Sequence, residues 1–239
     1  MHIYTQGENK YPSVTTIIKM ISTTEELMKW ANYMGFCHKD ITKIQNDTAD
    51  FGTMVHSNIQ GIVDPEFKDI IKAKDPIEEY RLNKVLNLFR SYYKDIEYKT
   101  VFSEKTIISP TLGYAGTLDW LAEFNTGYAL IDFKTSKKVR KHMLLQLGGY
   151  YNLLRDQHPD IADKITFSGI NIINENECNL YPIGLDKLKA CGEVFNMLFE
   201  LYKGYEQTTL HVDKKILTTI KNKSSNPEIK IIERNELNA

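Results

Sequence analysis

Residues 98–136 hold three apolar runs, YKTVFSEKTIIS (98–109), YAGTLDWLAEF (114–124) and YALIDFKTS (128–136), separated only by PTLG and NTG. Runs rich in β-branched and aromatic residues and broken by Gly- and Pro-containing turns predict three consecutive strands. No other feature restricts the fold as much. Three strands joined by tight turns make one sheet, and a sheet with apolar faces must be covered.

Helical periods on either side supply the cover. Ser13 in YPSVTTIIKMI is an expected N-cap for a short helix. Thr23 and Glu26 stand at capping-box spacing before a stripe of Leu27, Trp30, Ala31 and Met34. A third helix is expected over 48–63. A fourth carries Ile77, Leu82, Val85, Leu86, Phe89, Tyr92 and Tyr93 as its apolar stripe. After the strands come a helix from about 139 to 157, two further strands (ITFSGINII and CNLYPIG), and a long last helix from Leu185. The expected fold class is mixed α/β (α+β): a central mixed sheet flanked by helices, with a helical N-terminal layer. The expected division is one domain over 1–207, with the helical layer at 11–95 and the αβ core at 96–207, followed by a weakly ordered Lys- and Asn-rich tail at 208–239.

Composition bounds the setting. The 239 residues are 42% hydrophobic and 26% charged, as in ordinary soluble domains. No apolar run approaches the roughly 18 residues of a membrane helix, so no membrane partner is expected. MHIYTQGENKYPS is too polar for a signal peptide, which makes the cytosol the expected compartment. Cys37, Cys178 and Cys191 form no CxxC and read as reduced, packed thiols rather than a disulfide framework or a zinc or iron–sulfur site. With a net charge of −1, contact with a polyanion must come from a local patch. KTSKKVRKH (134–142) is such a patch, though a solvated turn explains a run of this kind equally simply.

Asp132 and Lys134 sit two apart inside the third strand, on one face by the strand's period. A short loop at 125–127 folds Asp119 back toward them. With a loop of two or four residues all three share a face; a three-residue loop needs a bulge to do so. Two carboxylates that close do not both stay ionised without a cation between them. A divalent metal would be that cation, and a solvated Asp–Lys pair on a surface hairpin is the plain alternative. Gln146 and Tyr150 are four apart on the following helix, and Gly148 and Gly149 cost that helix about 1 kcal/mol each relative to Ala. Close approach to the sheet or a ligand would account for them. Upstream, His56 lies one turn from Thr53 on an otherwise apolar helix, where a hydrogen-bonded core imidazole is the commoner arrangement.

The order of these features, GTMVH, GTLDWL, IDFKTSK and QLGGY, is similar to the RecB-like branch of the PD-(D/E)XK nucleases, and more narrowly to its phage exonucleases and the mitochondrial genome maintenance exonucleases. The similarity spans roughly residues 11–155, about three-fifths of the chain. The resemblance implies a restriction-endonuclease-like core and a metal-dependent DNA exonuclease acting on single-stranded ends. Recombination, replication or repair in a phage-infected or bacterial cell is the implied setting. It implies His56, Asp119, Asp132 and the Phe133 carbonyl as ligands of Mg²⁺ or Mn²⁺, with Lys134 as the catalytic lysine. Gln146 and Tyr150 would position the scissile phosphate, and Glu104 and Thr53 would stand behind the ligands. Lys137, Lys138, Arg140 and Lys141 would track the strand, with Trp30 or Tyr33 stacking on bases.

Two departures stand out. Leu118 replaces the usual Pro before the first acid, and the cysteine cluster that holds an iron–sulfur cluster in some relatives is missing, so no such cofactor is expected. The near-neutral charge favours a narrow basic channel or loading by a replication or recombination partner protein. An endonuclease or duplex-end resecting enzyme would use the same site, and a non-catalytic DNA-binding or replisome-interaction protein would keep the fold alone.

Overall fold

The computed structural model describes residues 2–21 and 25–208. The chain divides into two compact units, Met1–Tyr202 and Lys203–Ala239; of the second, the described residues continue the last helix. The Thr23 capping box, the Leu27 side chain and the C-terminal tail lie outside the described residues.

The three expected strands form as β3 (Tyr98–Ser109), β4 (Tyr114–Phe124) and β5 (Gly127–Lys134). With β6 (Ile165–Ile173) and β7 (Cys178–Gly184) they make a five-stranded sheet in the order β3-β4-β5-β6-β7. All pairs are antiparallel except β5 with β6. The parallel pair needs a crossover, and helices α5 (Lys141–Gln157) and α6 (Pro159–Ala162) provide it. The sheet is therefore mixed, as expected. The short α6 has too few residues to show a period and was not expected from the sequence.

Apolar layers cover both faces. One holds α1 (Val14–Ile18), α5 and α7 (Leu185–Thr208), the last from Leu188 to Tyr202, against Tyr114, Leu121, Leu130, Ile170 and Ile172. The other holds α3 (Ile41–Val63) and α4 (Pro76–Tyr93) against Trp120, Ile131 and Phe133. Ser13 caps α1, accepting from the Thr16 amide at 2.9 Å. The glycines of α5 have a packing reason, though a different one from the sheet or a ligand: a Cβ on Gly148 would meet the Gly192 backbone nitrogen of α7 at 2.5 Å.

The N-terminal layer is not wholly helical. Ile3–Gln6 (β1) and Asn9–Pro12 (β2) form an antiparallel hairpin, a pairing hidden in a polar stretch with no strict alternation. Helix α3 starts at Ile41 rather than 48, because Asp40 caps it by accepting from the Lys43 amide at 2.9 Å. Its first turns are polar and exposed, so they carry little apolar signal. In α4, Ile77 is 74% exposed, contrary to its place in the expected stripe, and Tyr92 is exposed beside it. Only the residues from Leu82 inward reach the sheet. Helix α2 (Glu25–Phe36) buries none of Trp30, Ala31 or Met34 completely.

The far end of α3 is tied to the sheet by polar links. Buried Trp120 donates from Nε1 to Thr100 Oγ1 at 3.0 Å, and that hydroxyl donates to the Val63 carbonyl at 2.5 Å. These bonds fix how α3 lies across the strands, and so where His56 points.

Candidate metal centre

The β4–β5 hairpin turns through two residues, Asn125 and Thr126, with Phe124 facing Gly127 and the last pair at Trp120 and Ile131. One step further the same register sets Asp119 against Asp132. There the ladder opens: the Phe133 amide donates to Asp119 Oδ2 at 2.8 Å instead of to a β4 carbonyl. On the other side of β4, Ser103 faces Trp120 and Lys105 faces Leu118, so Glu104 falls opposite Asp119. Three carboxylates thus occupy one rung across β3, β4 and β5. Glu104 holds this place with φ at +45°, in the left-handed region a non-glycine residue rarely adopts.

Helix α3 brings the imidazole to this rung. His56 Nδ1 is 3.7 Å from Asp119 Oδ2, and its ring meets Phe133 edge-on at 6.1 Å. One turn on, Gln60 Nε2 donates to Glu104 Oε1 at 2.6 Å. Ligand atoms of His56, Glu104 and Asp119 all lie within 4.8 Å of one another. In an octahedron with bonds of about 2.1 Å, opposite ligands stand about 4.2 Å apart. The cluster is therefore close to the size of one hard cation. Asp132 is 0% exposed, and its Oδ1 has no hydrogen-bond partner. Its Oδ2 lies 2.5 Å from Lys134 Nζ. Asp132 is not one of the three residues of that cluster, but it is on the same rung as Asp119, and a buried carboxylate oxygen with no partner beside two further carboxylates fits Mg²⁺ or Mn²⁺; one neutral imidazole does not disturb that fit.

Burial sets the protonation states. It pushes His56 down to about 4, with the Lys134 charge acting the same way, so the imidazole is neutral at pH 7. Burial pushes Asp132 up to about 6 against the opposing pull of Lys134. Asp119 and Glu104 are raised too, each first by burial; Glu104 also feels Asp119. For Lys134, burial works to lower the value, yet Asp132 and Asp119 together hold it above the usual lysine range. Protons therefore compete with a cation for these carboxylates. We expect Mn²⁺ affinity, measured by calorimetric titration, to fall about tenfold from pH 7 to pH 5, as one competing proton with a pKa near 6 requires. Affinity constant over that range would mean that Asp132 is not a ligand.

The other expected site residues divide. Gln146 and Tyr150 are buried, and Gln146 Nε2 donates to the Tyr150 hydroxyl at 2.8 Å. Tyr150 is raised well above its ordinary value, by burial and then by the Asp132 and Asp119 charges, which places it behind the acids. A cavity of about 1400 Å³ opens beside His56 and Glu104, and Trp30, Lys137, Lys138 and Arg140 line it. Lys141 starts α5 and Tyr33 is 64% exposed; neither lines that cavity. Thr53 lines it but donates to the Ala49 carbonyl of its own helix at 3.0 Å, so the structure gives it no link to the acids. Glu104, expected behind the ligands, lies with His56 and Asp119 in the cluster that could hold an ion. Cys37 is exposed, while Cys178 and Cys191 are buried in different apolar layers.

No family model matches the chain, and no curated protein does. Among solved structures it is similar to the one described as the crystal structure of SSO0001, at 17% identity and a TM-score of 0.25, over 52% of this chain and 61% of that one. The chain thus spans about three-fifths of that protein's length, and a likeness of this size bears on neither fold nor activity.

Proposed function

We propose that the chain is a metal-dependent deoxyribonuclease of the RecB-like PD-(D/E)XK type, an exonuclease that hydrolyses phosphodiester bonds from single-stranded ends. The observation that carries this reading is the meeting of Asp119, Asp132, His56 and Lys134 at the open end of one hairpin, beside a cavity with a basic rim. Asp119, Asp132, Glu104 and His56 are the residues that would hold Mg²⁺ or Mn²⁺. When bound, such an ion counters charge on the phosphate and lowers the pKa of water at the site. Lys134, held by Asp132, puts a fixed ammonium where negative charge grows on the phosphodiester. Lys137, Lys138 and Arg140 supply the local positive field that a chain of net charge −1 lacks overall. Phage-type recombination, replication or repair is the setting we assign, in the cytoplasm. No helix of the described residues is long and apolar enough to cross a membrane.

Digestion of labelled single strands tests the reading. Linear DNA should be degraded progressively from an end with Mn²⁺, closed circles should persist, and chelation should stop the degradation. Cut circles would make the enzyme an endonuclease with the same site. Binding without any cleavage would leave a DNA-binding protein on the nuclease fold.

A further inference from the structure

The cavity beside the metal centre has two unlike walls, and α3 lies between them. On one side, a Cβ at Gly52 would meet Thr135 Oγ1 at 3.2 Å, so the segment after β5, with Lys137, Lys138 and Arg140, flanks that side. On the other, residues 67–71 are strapped to the helix. Ser57 Oγ accepts from the Ile71 amide at 3.1 Å, Asn58 Nδ2 donates to the Ile71 carbonyl at 2.8 Å, and a Cβ at Gly61 would meet the Ile70 side chain. At about 100° per residue, positions 52 and 61 differ by about 180° around the helix. The two walls are therefore on opposite sides, with His56 and Gln60 between them.

The strap turns Phe67, Asp69 and Ile71 to the cavity. The Asp69 carboxylate repels a phosphate backbone, while the aromatic ring and the aliphatic chain suit the flat faces of bases. The opposite wall is basic and continues directly from Lys134. Building on the nuclease reading, we infer that the substrate is an unpaired strand laid with its phosphates along Lys134–Arg140 and its bases against Phe67 and Ile71. A duplex cannot use the second wall, because its base faces are already covered by their neighbours. The strap is then the part of the molecule that selects single strands.

The test uses Phe67→Ser and Ile71→Ser, the latter at a position already 43% exposed, so loss of fold is not the expected result. Binding is measured with 2-aminopurine-labelled single strands and with blunt duplex of equal length, in an Asp132→Asn background that does not cut. Each substitution should weaken single-strand binding about tenfold and reduce the 2-aminopurine quenching, while leaving duplex binding unchanged. With Asp132 intact, hydrolysis of thymidine 5′-p-nitrophenyl phosphate, too short to reach the strap, should also be unchanged. Equal losses for strand and duplex, or none for strands, would overturn the assignment even if the wild-type protein cuts DNA. Selective loss for strands in a protein that cuts nothing would sustain the wall and refute the nuclease.

Discussion

Asp132→Asn is expected to abolish metal-dependent cleavage, by at least about 10³-fold, and with it the stabilisation that the metal confers. The substitution keeps the shape of the side chain at a position that is 0% exposed and flanked by Ile131 and Phe133. The apolar layers on either face are therefore undisturbed. What changes is charge: an acceptor oxygen without a partner becomes half of a neutral amide, and a hard cation loses an anionic ligand. Without metal, the variant should melt below wild type, because Lys134 loses its paired carboxylate and keeps only the Asp119 charge beside it. With Mn²⁺ at about a hundred times its Kd, wild type should gain about 2.7 kcal/mol, or roughly 5–10 °C for a domain of this size. The variant should gain almost nothing. Thermal melts with and without Mn²⁺ measure this independently of any DNA. A full metal-induced shift in the variant would place the cation elsewhere.

Much of this site was legible before any coordinates. Parity puts Asp119 on the face of Asp132 for a loop of two or four residues, and the two-residue turn at Asn125 and Thr126 settles the register that the sequence leaves open. The same counting was available for Glu104. From the turn at 110–113, pairing Ser109 with Tyr114 carries through to Glu104 opposite Asp119 once the strands are in register. The sequence offers it only a place behind the ligands, because a lone Glu in a strand usually faces water. Its left-handed backbone, which keeps it at the rung, leaves no trace in composition. The residues alone show His56 only as part of an apolar helix, and its place beside Asp119 is implied by the family resemblance rather than by pattern. That contact depends on how α3 crosses the sheet, and the crossing is set by the Trp120–Thr100–Val63 link between distant segments. Gln146 and Tyr150 share one helical face, as their spacing of four predicts, and Gln146 bonds to Tyr150 without lining the cavity. The strap at 67–71 was invisible for a plainer reason: it has no period of its own and is held by side chains of α3.

Replacing Lys134 by Met should lower the cleavage rate by about 10²–10³-fold at saturating Mn²⁺ while leaving strand binding within a fewfold of wild type. Met fills the space of the lysine stem, 21% exposed at the end of β5, so the loss reports on the ammonium. The pH profile separates a chemical role from a structural one. Lys134 is the main influence opposing the rise that burial imposes on Asp132. Without it, the carboxyl should rise above its present value of about 6 and stay protonated to higher pH. A carboxylate required in its ionised form to hold the metal then becomes available only at higher pH, so the acidic limb of the rate profile should move upward. Protonation also limits the structural damage, because the buried acid becomes neutral instead of standing as an unpaired charge. Alkaline pH should accordingly restore Mn²⁺ binding but not the full rate, since no pH returns the ammonium to the phosphate. Full recovery of rate at high pH would reduce Lys134 to a keeper of Asp132's charge, and an unmoved acidic limb would show that the two side chains do not act on each other.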